Sequence, residues 1–292
     1  METIHNFHIL ADKYNVFIFD LWGVLHNGKE PFLKTLECLA YLKQKNKAVF
    51  LLSNSPRLAE PTAQRLTKMG ISPDLYQGVY TSGVDCHMSL RERPDSFYQG
   101  LGQKLYHIGP DSYVPIFATL NYTPVSMVSQ ADFILVSGTV DWVKSLAEYL
   151  PLLQEALATN QPLICANRDK QVMYGQERVL CAGMIAESYQ KMGGQIRLHG
   201  KPDPFMYQQV HQLAEHALDR TLTRQEILMI GDSLTTDIKG ANFYGIDSVM
   251  VLTGIHGDDL LPHWHDPLLL NKHLTSLTHT YQTTPTYVMA HL

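Results

Sequence analysis

A chain of 292 residues, 45% hydrophobic and 17% charged, carries enough apolar material for one large or two ordinary cores, which excludes a disordered or fibrous protein. A formal net charge of −5, with no run of Lys or Arg beyond isolated pairs, argues against nucleic acid or an anionic membrane as partner. The four cysteines (Cys38, Cys86, Cys165, Cys181) are far apart and show no CxxC spacing, so they read as reduced thiols of a cytoplasmic protein. Residues 1–10 lack the basic start and apolar core of a signal peptide, and no segment approaches the roughly 20 continuous apolar residues that span a bilayer.

Short apolar runs alternate with amphipathic stretches along the chain. "NVFIFD" (15–20) predicts a strand, and "PFLKTLECLAYLKQKN" (31–46) a helix, with Phe32, Leu36, Leu39 and Leu42 at helical spacing behind a proline start. "AVFLLS" (48–53) predicts a second strand, and "PRLAEPTAQRLTKMG" (56–70) a helix closed by a glycine. This order implies a parallel sheet with right-handed crossovers. A middle stretch has strands of its own in "KLYHIG" (104–109), "ADFILVSG" (131–138) and "PLICAN" (162–167), with a long helix over 142–160 that Pro151 kinks or splits. The first grammar then resumes with "PFMYQQVHQLAEHAL" (204–218), "ILMIGD" (227–232), "TDIKGANFYG" (236–245) and "DSVMVLTG" (247–254). The expected architecture is α/β: a Rossmann-like doubly wound parallel sheet from residues 1–83 and 196–292, with an α/β cap domain, 84–195, inserted into it. The tail after Leu270, rich in Thr and His, shows weak periodicity.

Four stretches fall where strands end: "DLWGV" at Asp20, "LLSNS" at Ser53, "HGKPDP" at Lys201 and "GDSLTTD" at Asp232–Asp237. A parallel sheet gathers such stretches on one edge, the edge where open α/β sheets bind ligands. Together they supply carboxylates for a divalent cation, a small hydroxyl and a lysine. A phosphate group needs that set, because a hard cation prefers oxygen ligands and the lysine and hydroxyl bind the anionic oxygens.

The four stretches, in this order and at this spacing, resemble the motifs of the haloacid dehalogenase superfamily of phosphohydrolases. The insertion between the second and third resembles the cap of its type IIA branch. "CANRDKQVMYG" (165–175), with "CAGMIAE" (181–187), resembles that branch's substrate loop. The resemblance covers nearly the whole chain to about residue 260 and implies Asp20 as a nucleophile that forms an aspartyl-phosphate. It implies Ser53 as the hydroxyl that holds the phosphoryl group, with Asn54 beside it, and Lys201 as the cation that stabilises developing charge. Magnesium is the implied cofactor, held by Asp20, the Trp22 carbonyl and Asp232, with Asp237 holding the metal's waters or orienting the lysine. In the family, the residue two after the nucleophile also carries a carboxylate that protonates the leaving group and later activates water. Trp22 keeps the carbonyl and lacks the carboxylate, and losing a general acid/base costs about 10²–10⁴ in rate. The implied activity is a magnesium-dependent phosphohydrolase, slowed by Trp22, acting on a small phosphorylated metabolite. The alternative is a weakened phosphate-ligand-binding or regulatory protein. A phosphonatase would need a Schiff-base lysine in a small cap before the second motif, for which the about 30 residues between Asp20 and Ser53 leave little room. Expected partners are the metabolite and a second copy, through a homodimer at the cap, with no nucleic acid and no membrane.

Several residues carry two readings. His26 is either a substitute acid, with an ordinary pKa near 6.5 suited to proton transfer, or a rim histidine in the turn before Asn27 and Gly28. Trp22 is either a packing residue at the pocket wall or a stacking platform. Asn167, Arg168 and Asp169 either contact the substrate from the cap, with Arg168 and Lys170 favouring an anionic one, or form a solvated turn. "HWHD" (263–266) is either a second metal site or an exposed loop.

Overall fold

The structure is a computed structural model that describes residues 1–140, 145–174 and 177–292. Its larger sheet has seven strands, in the order Glu2–Thr3, Tyr287–Met289, Asp247–Val251, Ile227–Gly231, Val16–Phe19, Ala48–Ser53 and Gly78–Thr81. Every neighbouring pair is parallel. The central strands are buried on both faces, which explains why they read as unbroken apolar runs rather than alternating ones. Phe17 and Phe19 point into one buried cluster and Val16 and Ile18 into the other, so one four-residue strand feeds both layers of the core. From the central pair, Val16–Phe19 beside Ile227–Gly231, the chain winds outward in both directions. That reversal opens a crevice at the carboxyl ends of the strands.

The middle of the chain forms a second sheet of five parallel strands, Ile196–Leu198, Leu163–Cys165, Phe133–Val136, Lys104–Ile108 and Thr123–Pro124, and an antiparallel hairpin of Gln171–Tyr174 with Glu177–Leu180. Ile196–Leu198 pairs with Leu163–Cys165, so the second sheet takes in three residues beyond the expected boundary at Gln195. The helix expected over 142–160 is a short 3₁₀ turn, Leu146–Glu148, then Leu150–Ala158 with Pro151 in its first turn, where a missing N–H costs nothing. The start of that expected helix, residues 142–144, and Gly175 of the expected substrate loop lie outside the described residues.

Two segments connect the sheets. The helix Ser82–Glu92 faces both ways: Val84 and Met88 pack on the larger sheet, Cys86 and Leu90 in the second core. The return segment starts at His199, whose ring is held at both nitrogens. Nδ1 lies 2.6 Å from Asp85 Oδ2, and Nε2 lies 2.5 Å from the Tyr98 hydroxyl, all three side chains being buried. The tail folds as a helix, Pro267–Tyr281, and the strand Tyr287–Met289, which inserts between Glu2–Thr3 and Asp247–Val251. Among the described residues no helix is long and apolar enough to cross a membrane.

Candidate active site

Each predicted acid sits at or just past a strand that the core immobilises. Asp20 follows Val16–Phe19, and its N–H donates to the Ile230 carbonyl at 2.9 Å, tying it to the neighbouring central strand. Ser53 closes its strand, and Asp232 follows Ile227–Gly231. Asp237 lies in a single π-helical turn, Leu234–Ile238, a rare widening that moves a side chain off the regular α path. Its side chain packs back over Gly231, where any Cβ would come within 2.1 Å of the Asp237 Cβ.

The result is a buried charge cluster. Lys201, 1% exposed, places Nζ 2.6 Å from Asp20 Oδ1, 2.6 Å from Asp237 Oδ1 and 3.2 Å from the Leu52 carbonyl. Asp20, Asp232 and Asp237 each offer an oxygen within 4.8 Å of the others. The Ile255 N–H donates to Asp232 Oδ2 at 2.8 Å. Gly23, at φ +78°, passes so close that a Cβ there would lie 2.3 Å from the same oxygen, so the turn after Trp22 admits no side chain.

Three carboxylates against one ammonium leave excess negative charge in a dry place. Burial pushes Asp20 up to about 7; Lys201 opposes this and Asp237 adds to it. Burial also lifts Asp232 well above the carboxylate range, with Asp237 and Asp20 adding to it. Burial alone would lower the Lys201 ammonium, but the two carboxylates outweigh it and hold it charged. This oxygen-only, over-acidic donor set fits a hard divalent cation. A raised carboxyl stabilises the native state below its unfolded value of 3.8, and that stability is lost as pH rises through about 7. A cation that replaces those protons therefore has most to give at high pH. Magnesium should raise the melting temperature more at pH 8 than at pH 5, and equal increments at the two pH values would place its binding elsewhere.

The remaining predicted residues divide. Trp22 lies partly buried on the wall of a cleft under the second sheet, and its ring meets His26 edge-on at 5.1 Å. His26 does not line that cleft. It is buried in its own turn, where Nδ1 accepts from the Gly28 N–H at 3.0 Å. Burial, then Arg65, lowers it to about 4, which favours the neutral ring at pH 7. Ser53 is buried, and its Oγ accepts from the Ser55 N–H at 3.1 Å. Asn54 is a staple rather than a substrate contact. Its Oδ1 accepts from Lys201 N–H at 2.6 Å, and its Nδ2 donates to Asp169 Oδ1 at 2.8 Å and to the Lys201 carbonyl at 3.2 Å.

From the second sheet, Asn167 and Asp169 line the cleft, with Asn167 Oδ1 accepting from the Asp169 N–H. Arg168 instead turns to the Gly200 carbonyl at 3.3 Å, and Lys170 pairs with Glu187 on the surface. The cation that lines the cleft is Arg57, which the sequence reading passed over. Its guanidinium lies 4.8 Å from the Tyr113 ring and its NH1 donates to the Tyr113 hydroxyl at 3.3 Å, joining the two sheets' domains across the opening. Its signal was a basic residue four positions after Ser53, in "SNSPR". In "HWHD", His263 stacks on His273 and Asp266 caps the following helix. Among the described residues only Asp20, Asp232 and Asp237 form a metal-binding cluster.

Comparison with known proteins agrees with this geometry. D-glycerol 3-phosphate phosphatase of Mycobacterium tuberculosis is 24% identical over 250 residues, spanning 85% of this chain; the chain in turn spans only 65% of that protein. A haloacid dehalogenase-like hydrolase from Brucella suis superposes with a TM-score of 0.85 at 26% identity, covering 99% of both chains. Glycerol phosphate phosphatase from M. tuberculosis, solved with magnesium, superposes with a TM-score of 0.66 at 21% identity, covering 96% of this chain and 75% of that one. Residues 17–123 match the haloacid dehalogenase-like hydrolase family and residues 198–292 the HAD-hydrolase-like family, two matches that take in all four strand-end stretches. With Asp20, Lys201 and the acid cluster gathered under an inserted second sheet, the chain belongs to the haloacid dehalogenase-like hydrolases.

Proposed function

We propose that this protein is a phosphohydrolase of small phosphorylated metabolites, acting through an aspartyl-phosphate on Asp20 with magnesium as cofactor. The observation that carries this is Lys201, buried between the carboxylates of Asp20 and Asp237, with Asp232 in the same acid cluster. Asp20, the Trp22 carbonyl and Asp232 would hold the metal, with Asp237 behind them, and the metal would offset phosphoryl charge. Lys201 and the Ser53 hydroxyl bind the anionic oxygens that gain charge in transfer. The core runs from residue 1 to about 83 and from about 199 to 292, with the segment between as a cap, since Ile196–Leu198 pairs within the second sheet. The relative named for glycerol 3-phosphate supports a short polyol or sugar phosphate as substrate class.

The test is phosphate release from p-nitrophenyl phosphate and a panel of sugar and polyol phosphates, with magnesium and with chelator. Release that needs magnesium is expected. No release on any substrate, or release indifferent to chelator, would sink the reading. Arg57→Ala should raise KM for an anionic metabolite about tenfold, a loss of one charge-assisted contact, with little change in kcat on the small ester. Arg168→Ala should leave KM alone, and the opposite ranking would return substrate recognition to the Arg168 loop.

A further inference from the structure

The position that ordinarily carries the general acid holds Trp22, and His26 lies outside the cleft with its Nδ1 tied to the Gly28 N–H, so the proton for the leaving group has to come from elsewhere. We infer that Asp169, reaching down from the cap, is the general acid/base of this enzyme. The inference rests on the phosphohydrolase reading above.

Four observations carry it. Asp169 lines the same cleft as Trp22. It is anchored to the core, because Asn54 Nδ2, next in sequence to Ser53, donates to its Oδ1 at 2.8 Å and leaves Oδ2 without a hydrogen-bond partner among the described residues. Its backbone is fixed as well: the N–H is held by Asn167 Oδ1 at 2.9 Å, and its carbonyl accepts from the Gly183 N–H. Finally, it follows Leu163–Cys165 of the second sheet, whereas Asp20 follows Val16–Phe19 of the larger one. Attacking and leaving oxygens are roughly in line in phosphoryl transfer, so with Asp20 attacking from the core floor the leaving oxygen points at the cap.

The surroundings keep this carboxyl able to hold a proton. Burial raises it, the Asn54 hydrogen bond and Lys201 lower it, Asp237 raises it and Arg168 lowers it, with a net shift upward. The buried thiols of Cys165 and Cys181 are the other titratable groups facing it, and burial holds both in the neutral form. In the first step Asp20 forms a bond to phosphorus and the phosphorus–oxygen bond to the leaving group breaks with its electron pair. Asp169 gives its proton to that oxygen, and the alcohol departs. In the second step water attacks phosphorus and gives a proton to the Asp169 carboxylate. The bond to Asp20 breaks, its electron pair returns to the Asp20 carboxylate, and inorganic phosphate leaves with Asp169 protonated again.

The experiment compares wild type, Asp169→Asn and the double variant Asp169→Asn/Trp22→Asp on a glycerol phosphate and on p-nitrophenyl phosphate, with melting curves. Asp169→Asn keeps the acceptor for Asn54 and should fold. It should lose about 10²–10⁴ in turnover on the alkyl ester, lose less on the activated one, and show a burst equal to enzyme concentration as phosphoenzyme accumulates. Its rate on the alkyl ester should also lose the wild-type decline at high pH, and Trp22→Asp should restore part of the turnover. Equal losses on both esters with no burst, or wild-type rates with an unchanged pH profile, overturn the inference and leave the hydrolase reading standing. A wild type that releases phosphate from neither ester overturns both. If Asp169→Asn misfolds, Asp169→Glu decides: an acid retained at that position keeps the high-pH decline, and a folded Glu variant without it counts against the role.

Discussion

Asp20→Asn should abolish turnover and, without magnesium above pH 7, melt at a higher temperature than wild type. The first half follows from the nucleophile's place: an amide of the same shape forms no acyl phosphate, so the loss should be on the order of 10⁴–10⁶-fold. The second half follows from what that carboxylate costs the fold. Burial and Asp237 outweigh Lys201 and raise Asp20 from 3.8 to about 7, so ionising it at higher pH is unfavourable in the native state. An amide never ionises, and the variant escapes that cost. The gap in melting temperature should therefore open as pH rises from about 4 to about 7 and close below 3.8, where Asp20 is protonated in both states. Calorimetry across that range checks it; a variant less stable than wild type at every pH would mean that the Lys201 contact outweighs burial.

Lys201→Met should be the most damaging change to the fold. The residue fills a site walled by Leu52, Asp20 and Asp237, and methionine replaces its stem without its charge. Two buried carboxylates are then left without their ammonium, which costs about 3–5 kcal/mol where they are ionised. Protonation relieves them, so destabilisation should be larger at pH 8 than at pH 5, and magnesium should recover part of it by supplying the missing positive charge. Turnover should fall by about 10²–10³ because a donor aimed at the transferring group is gone. A variant that is equally stable at the two pH values would show that these carboxylates are already protonated in the wild-type fold.

The residues that gather at the sheet edge were legible because backbone topology puts them there. Asp20, Ser53 and Asp232 each follow or end a strand of the larger sheet whose apolar run is unmistakable, and parallel pairing does the rest; Lys201 instead follows Ile196–Leu198 of the second sheet. What escaped depends on side-chain direction, which spacing does not encode. His26 and Asn54 sit at suggestive positions, yet their polar atoms are consumed by Gly28, Lys201 and Asp169. Arg57 and Arg168 are equally basic in the sequence; one lines the opening and the other turns to the Gly200 carbonyl. The tail escaped for another reason. Only Leu270 and Leu274 of Pro267–Tyr281 are buried, too few to set a pattern, and Tyr287–Met289 is a three-residue strand whose place in the sheet is dictated by its neighbours.

The imidazole of His199, held at one nitrogen by Asp85 and at the other by Tyr98, joins the outgoing and returning crossovers at a single buried pin. Breaking either bond would strand polar atoms away from water, so the two peptide segments turn together rather than sliding past one another. Gly200, at φ +112°, and Lys201 come directly after that pin, so whatever holds the ring also fixes where the chain enters the buried charge cluster.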